Sequence, residues 1–249
     1  MNVDHRFTQT QKQYAADDLE TMSEAKRYQE HVFALLRPHI GARVLEVGCG
    51  IGTFSLRLAE IAERLVCIEP NRNCVSRARA ALDGDPKIAL RICHLEECDR
   101  GELLDQRFDT IVCVNVLEHI EDDSKALRLF TDLVAPAGGK VLIFVPAVQA
   151  AYGPLDAALG HHRRYSKRTL GRAFDAAGLD LLAMRYTNPI GLLGWMYNAH
   201  ITRTIEHTSG QVRLFEQLVA PWALPLDRLV PPPIGLSLFA VGRARVHVA

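Results

Sequence analysis

The stretch R-V-L-E-V-G-C-G-I-G-T-F-S-L-R-L-A, residues 43–59, decides the fold of this 249-residue chain. A short apolar run that contains one acid, Glu46, leads into three glycines at alternate positions, Gly48, Gly50 and Gly52, and a second apolar segment follows. This order predicts a strand, a tight turn and the start of a helix. Glycine tolerates positive φ and lets a ligand approach the backbone, and a helix N-terminus offers free amides. The stretch therefore predicts a ligand-binding turn.

The spacing of the glycines narrows the choice of ligand. A dinucleotide site needs G-x-G-x-x-G, but counting from Gly48 puts Thr53 at the third glycine position, and counting from Gly50 puts Ser55 there. An NAD-dependent oxidoreductase is therefore the weaker alternative. The pattern E-x-G-x-G-x-G instead resembles the first motif of the class I S-adenosylmethionine (SAM)-dependent methyltransferases, in which the turn packs against the amino acid part of the cofactor.

A second acid supports a nucleoside ligand. Glu69 ends the next apolar run, 23 positions after Glu46. A carboxylate in that place can accept hydrogen bonds from both ribose hydroxyls, although an ordinary strand-end acid is the alternative. We assign Pro70 and Asn71, which follow it, and Glu46 and Cys49 at the glycine turn to the same cofactor site.

The loop after the third predicted strand, residues 88–93, departs from the family pattern. The resembled family usually carries an aspartate there that meets the adenine amino group, whereas this chain has His94, Leu95 and Glu96. The resemblance therefore assigns adenine recognition to this loop, through Glu96 or through backbone groups. A plain surface position is the alternative for His94.

The segment F-D-x-I-x-x-x-x-V-L-E-H, residues 108–119, resembles the fourth motif of the same methyltransferases. The resemblance implies that it crosses the methyl-bearing end of the cofactor, with Asn115 and Val116 in contact with SAM. His119 is a further catalytic candidate on the acceptor side, and a structural role at a helix start is its alternative.

The loop Y-G-P-L-D-A-A-L-G-H-H-R-R-Y, residues 152–165, follows the fifth predicted strand at the sheet edge where α/β proteins bind ligands. Histidine has a pKa suited to taking a proton from an attacking hydroxyl or amine, and arginine pairs with carboxylate or phosphate. The segment also resembles G-H-x-R-R-Y in bacterial small-molecule and sugar-type methyltransferases. Our candidates are His161 or His162 as the base, Asp156 to fix the imidazole tautomer, and Arg163, Arg164 and Tyr165 for an anionic acceptor group. An anchored loop without catalytic function is the alternative.

Two further regions flank the predicted cofactor core. Residues 1–40 predict an N-terminal helical arm. In the resembled family such helices often lie over the cofactor and substrate, so the resemblance makes Tyr14 and Tyr28 candidates to line the site, with a core position as the alternative for Tyr28. Residues 189–233 form an apolar insertion that holds both tryptophans. We expect Trp195 to cover the acceptor, and the insertion as a whole is a lid, a dimer face, a lipid-contacting flap or plain packing.

Composition excludes several classes of protein. The 29 basic and 29 acidic residues balance, so no overall field attracts nucleic acid. The six cysteines include no C-x-x-C pair, which favours buried thiols in a reducing cytoplasm over a disulfide frame or a metal site. The N-terminus is polar, and no apolar run reaches the roughly 18 residues of a spanning helix. We therefore expect a cytoplasmic protein without a transmembrane segment.

Together these features predict one α/β domain over residues 1–249, with a Rossmann-like, doubly wound, seven-stranded sheet whose last strand is antiparallel. Residues 41–147 are the expected SAM-binding core, and residues 148–249 the substrate-side half. The resemblance implies transfer of the SAM methyl group to an oxygen, nitrogen or carbon of a small-molecule, sugar or lipid-linked acceptor, with S-adenosyl-L-homocysteine as product. A non-catalytic SAM- or nucleoside-binding module is the main alternative. An anionic acceptor and a homodimer are the open hypotheses on partners.

Overall fold

The computed structural model describes residues 19–203 and 209–245, so Tyr14 lies outside the described residues. The strands in this part of the chain are Arg43–Val47 (β1), Arg64–Ile68 (β2), Ile88–Arg91 (β3), Thr110–Val114 (β4), Lys140–Pro146 (β5), Leu179–Thr187 (β6) and Ser237–Ala244 (β7). The α-helices are Lys26–Leu36 (α1), Ser55–Ala59 (α2), Arg72–Leu82 (α3), Arg100–Asp105 (α4), Asp123–Val134 (α5), Pro154–Leu159 (α6), Lys167–Ala176 (α7), Pro189–Tyr197 (α8), Ser209–Leu214 (α9) and Ala220–Leu229 (α10).

The strands form one sheet in the order β3-β2-β1-β4-β5-β7-β6. Strands β1 to β5 are parallel, and β7 runs antiparallel between β5 and β6. This arrangement confirms the predicted seven-stranded, doubly wound sheet with a reversed last strand. The order reverses between β1 and β4, and ligands of open α/β sheets bind at the carboxyl ends of the strands beside such a switch point.

Two apolar clusters cover the two faces of the sheet. Because side chains alternate along a strand, Leu45 of β1 enters one cluster and Val44 enters the other. The first cluster is centred on Phe108 and Phe130, and the second includes Phe144. The helices that complete these layers begin at polar caps, such as Asn71 before α3, Asp122 before α5 and Ser166 before α7.

The predicted insertion is helical and is anchored by buried acids. Helices α9 and α10 join through a π-helical turn, Phe215–Val219, into one helical segment over residues 209–229. The carboxylate of Glu216 accepts hydrogen bonds from the backbone amides of Arg27 and Tyr28 at 2.9 and 3.0 Å, which caps α1. Asp227 lies 3.2 Å from buried His31. Among the described residues, no helix is both long enough and apolar enough to span a membrane.

One prediction about the cysteines is wrong. Cys93 and Cys98 form a disulfide, whereas the other four cysteines are free and buried. The reason is local: a 3₁₀ turn, Leu95–Glu97, folds the chain back so that the two Cα atoms lie 6.0 Å apart. That distance is within the range a disulfide bridges.

Candidate active site

The glycine turn takes the conformation that its sequence predicts. Gly48, Gly50 and Gly52 have φ values of 72°, 55° and 87°. A Cβ atom at Gly48 would lie 2.3 Å from the side chain of Val116, so only glycine fits there. The same contact brings the segment after β4 against the turn, and the two predicted cofactor motifs are therefore neighbours.

Glu69 links the turn to the second strand. One carboxylate oxygen accepts a hydrogen bond from the amide of Gly50 at 2.9 Å, and the other accepts one from the amide of Asn71 at 2.8 Å. Burial raises the pKa of Glu69, and these two amides oppose that rise. Because each oxygen can accept a second hydrogen bond, the predicted ribose contact is compatible with this geometry and stays a prediction, as do the contacts assigned to Pro70 and Cys49.

Glu46 lies beneath the turn and binds groups of the protein itself. It accepts hydrogen bonds from the Ser55 hydroxyl at 2.6 Å and the Cys67 thiol at 3.4 Å. Burial raises the pKa of Glu46 to about 7. We therefore place Glu46 as a support that fixes the start of α2.

The predicted adenine loop is closed by the Cys93–Cys98 disulfide. Within it Leu95 is buried and Glu96 is exposed. His94 lies near enough to Glu69 for its charge to lower the pKa of that carboxyl group. The loop and Glu69 are therefore adjacent, and the adenine contact assigned to the loop stays a prediction.

The chain bends sharply where β4 ends. Asn115 has a left-handed φ of 52°, and its amide donates a hydrogen bond to the carbonyl of Phe144 at 2.7 Å. A 3₁₀ turn, Leu117–His119, follows immediately. This bend carries Glu118 and His119 to the carboxyl edge of the sheet.

Asp156 and His161 form the pair that the sequence predicted. His161 Nδ1 lies 2.8 Å from Asp156 Oδ1, and Arg164 Nε donates to the same oxygen at 2.8 Å. Burial alone would raise the pKa of Asp156, but His161 and Arg164 together lower it below its usual value. Asp156 is therefore a carboxylate that holds the proton of His161 at Nδ1 and leaves Nε2 free to accept another.

Glu118 lies beside this pair and forms a cluster with Asp156 and His161. The sequence alone did not identify it as a site residue. Its side chain is 1% exposed, Oε1 lies 3.9 Å from His161 Nε2, and neither oxygen has a hydrogen-bond partner among the described residues. Burial raises the pKa of Glu118 to about 7, and the charge of His161 opposes that rise. An acid directly after a strand end, between Leu117 and His119, was the available signal.

The two imidazole rings of the cluster pack edge to face, with His119 and His161 centroids 4.6 Å apart. Burial, and then the charges of His161 and His162, lower the pKa of His119 to about 3, so this ring is neutral at pH 7. Ligand atoms of Glu118, His119 and His161 lie within 4.8 Å of one another. One carboxylate and two imidazoles are donors that divalent transition metals accept.

Three site candidates in the loop, His162, Arg163 and Tyr165, have side chains that are exposed or bind Asp123 instead of the cluster. The His162 side chain is exposed, and its amide donates to the Glu118 carbonyl at 2.8 Å. Arg163 pairs with Asp123 at 3.1 Å, and the Tyr165 hydroxyl donates to the same carboxylate at 2.8 Å. These contacts anchor the loop, so the acceptor roles predicted for Arg163 and Tyr165 gain no support from the structure.

Arg164 turns to the opposite side and meets the insertion. Its guanidinium lies 4.4 Å from the ring centroid of Trp195, and its Nη2 is buried without a hydrogen-bond partner in the described part of the chain. The Tyr28 hydroxyl lies 3.3 Å from Ser237 Oγ. Burial raises the pKa of Tyr28, and the charges of Glu118 and Arg164 also act on it. Arg164 thus contacts both Asp156 and Trp195, and the acceptor roles assigned to Tyr28, Arg164 and Trp195 stay predictions.

Comparison with known proteins agrees with this geometry. Residues 8–184 match a family described as a methyltransferase domain. The chain belongs to this methyltransferase family. Its curated relatives include the ubiquinone biosynthesis O-methyltransferase of Xanthomonas axonopodis pv. citri (strain 306), which is 31% identical over 124 residues, 49% of this chain and 51% of that protein. The chain thus matches about half the length of that relative.

Solved structures share the fold of this methyltransferase over nearly its whole length. The N-methyltransferase NodS of Bradyrhizobium japonicum WM9, in complex with S-adenosyl-L-homocysteine, has a TM-score of 0.61 and 18% identity, covering 97% of this chain and 99% of that one. The putative methyltransferase in complex with the Haloferax volcanii Trm112 activator has a TM-score of 0.63 and 17% identity, with 95% and 96% covered. At these identities the similarity concerns the fold.

Proposed function

We propose that the chain transfers the methyl group of SAM to a hydroxyl oxygen of a small-molecule acceptor, with His161 as the base. The observation that carries the proposal is the Asp156–His161 pair, which presents Nε2 as a proton acceptor at the same sheet edge as the glycine turn. The choice of oxygen rests on the O-methyltransferase relatives. A non-catalytic binding module would have no use for this pair.

The residues present fit SAM. The glycine turn, the Glu69 carboxylate and the disulfide-closed loop offer an amino acid cradle, a ribose acceptor and an adenine edge in that order along the sheet. SAM supplies an electrophilic methyl carbon on a sulfonium. The chain contributes alignment of the acceptor oxygen, which accounts for much of such catalysis, and Nε2 of His161 takes the hydroxyl proton.

The finer predictions on partners and place remain proposals. Arg164 Nη2 and the Trp195 ring support an acceptor with a planar, anionic group, because guanidinium binds both carboxylates and aromatic faces. The balanced charge still argues against nucleic acid. Four free, buried cysteines support a cytoplasmic location, and the Cys93–Cys98 disulfide weighs against it.

The test separates cofactor binding from chemistry. We expect His161→Ala to lower kcat by about 10²- to 10⁴-fold while SAM affinity, measured by calorimetry, stays unchanged. Glu69→Ala should instead weaken SAM binding by up to about 3 kcal/mol. His162→Ala is the matched control, since its ring is exposed. Activity is followed as S-adenosyl-L-homocysteine release with a panel of phenols, catechols and sugars. Wild-type kcat in a folded His161→Ala variant would remove His161 as the base.

A second arrangement is favoured by the unpartnered Glu118 carboxylate. A divalent cation held by Glu118, His119 and His161 would bind the acceptor oxygen directly and lower its pKa. His161 Nε2 would then be a ligand and not the base, against our sequence prediction of no metal. Loss of activity on dialysis against a chelator, restored by Zn²⁺ or Mn²⁺, would support the cation. Unchanged activity would support His161 acting alone.

A further inference from the structure

The helical segment over residues 209–229 is apolar on two sides. Its buried side carries Val212, Ala220, Ala223 and Leu224 together with two acids, Glu216 and Asp227. The outer face carries a row of apolar side chains that are 56% to 80% exposed. We call this row the outer stripe, and its members are Leu214, Leu218, Trp222, Leu226 and Leu229. Contiguous exposed apolar surface of this kind marks an interaction site.

The orientation of this segment is fixed by specific bonds. Glu216 caps α1 through the amides of Arg27 and Tyr28. Asp227 accepts a hydrogen bond from the amide of Asn188 at 2.9 Å. A rotation that buried the outer stripe would break these bonds and expose both acids. The stripe therefore faces outward because the anchoring of the helix requires it.

The outer stripe is self-complementary. Its residues are spaced by four, four, four and three positions, with Trp222 at the centre. If a second copy lies antiparallel about a twofold axis at Trp222, Leu218 meets Leu226 of the other copy and Leu214 meets Leu229. A C2 interface is built from one patch that pairs with itself in this way. The exposed charged residues of this segment, Arg213 and Arg228, lie outside the stripe.

The size of the stripe suits the centre of a dimer interface. Five such side chains bury on the order of 500 Å² when they become fully covered. A standard interface buries about 800 Å² per partner, with an apolar core and a polar rim. A bilayer is the less suitable occupant, because helices that lie in a membrane surface are rich in Lys and Arg on their polar face, whereas this segment exposes two basic residues, Arg213 and Arg228, over residues 209–229.

We propose that the outer stripe is the contact surface of a homodimer, with the twofold axis beside Trp222. The dimer does not depend on the proposed chemistry, and its test measures mass instead of activity. Each copy would bury its own stripe against the stripe of the other. Since the same helix reaches Asn188 at the start of α8, the interface lies on the side of the molecule that carries Trp195.

Sedimentation of the full chain tests the proposal. We expect a mass of about twice 27.7 kDa at micromolar concentration, and both Leu218→Glu and Trp222→Glu should give monomers that keep the wild-type circular dichroism spectrum. Gln217→Glu is the control, because Gln217 is exposed on the same helix outside the stripe. A monomeric wild-type chain, or a dimer that survives both stripe variants, would overturn the proposal.

Cross-linking tests the position of the axis. Trp222→Cys should form a disulfide-linked dimer on mild oxidation, whereas Gln217→Cys should not, because only residue 222 meets its own copy. A covalent dimer from Gln217→Cys alone would reject this axis.

Vesicles of phosphatidylglycerol and phosphatidylcholine test the alternative occupant, a lipid surface. A wild-type monomer that floats with them, and a Leu218→Glu variant that does not, would assign the stripe to lipid and reject the dimer.

Discussion

At the scale of single residues, Glu118 makes the stability of the folded protein depend on pH. Its carboxyl group is buried beside His161, and its pKa is raised to about 7 because burial disfavours the charge. The ordinary pKa of this group is 4.5. Between pH 4.5 and pH 7 the folded state therefore holds a proton that the unfolded state has released. Stability from this group is therefore complete at low pH and is lost as the pH rises through 7.

Replacing the carboxyl by its neutral analogue should remove this dependence. We expect Glu118→Gln to be more stable than wild type at pH 8.5, by up to about 3 kcal/mol, and nearly equal to it at pH 4.5. Urea unfolding at both pH values measures the difference. Glu60→Gln, at an exposed position, is the control. An equal difference at both pH values would show that Glu118 is not a buried charge.

The individual site residues were only partly predictable. The Asp156–His161 pair followed from the residue types and their spacing of five, which one helical turn closes. The loop could not reveal which arginine faces the site, because neighbours in an extended segment point to opposite sides. In the structure Arg163 pairs with Asp123, and Arg164 pairs with Asp156. For Arg163 the orientation depends on a contact with a residue 40 positions away in the sequence.

At the scale of elements, the apolar runs bounded by glycine turns predicted the sheet, because parallel strands that are buried on both faces are continuously apolar. The segment over residues 209–229 was less predictable. Periodicity indicates that a helix has an apolar face but not which face meets the core, and here two long-range acid contacts decide it. The 3₁₀ turn that joins Cys93 to Cys98 was missed for a similar reason, since the sequence spacing alone does not fix a Cα distance.

The disulfide should stabilise the adenine loop measurably. It closes a loop of about six residues, for which the loss of chain entropy in the unfolded state corresponds to about 2 kcal/mol. We expect the Cys93→Ser, Cys98→Ser double variant to lose about this much stability in urea unfolding. Wild type in dithiothreitol should match the double variant, and the reagent should leave the variant unchanged. If the reagent does not affect wild type either, the two cysteines are thiols in the purified protein.

At the scale of the whole molecule, the cofactor side and the acceptor side are held by different contacts. Glu69, Gly50 and Val116 connect the ends of β1, β2 and β4. On the acceptor side, Asp227 joins the insertion to Asn188 at the start of α8, and α8 carries Trp195 to Arg164. Because these contacts lie on different elements, a change in one anchor should leave the other binding function intact.

Loss of the Asp227 anchor tests this separation. Asp227→Ala leaves buried His31 and the Thr187 hydroxyl without their carboxylate partner, a kind of change that costs about 3–5 kcal/mol. We expect that cost to appear as local opening of residues 189–233, with faster proteolysis there and a higher acceptor KM at unchanged SAM affinity. Gln217→Ala, exposed on the same helix, is the control. Parallel loss of SAM affinity would mean that the anchor supports the sheet itself, because β6 ends at Thr187 and pairs with β7 over its length.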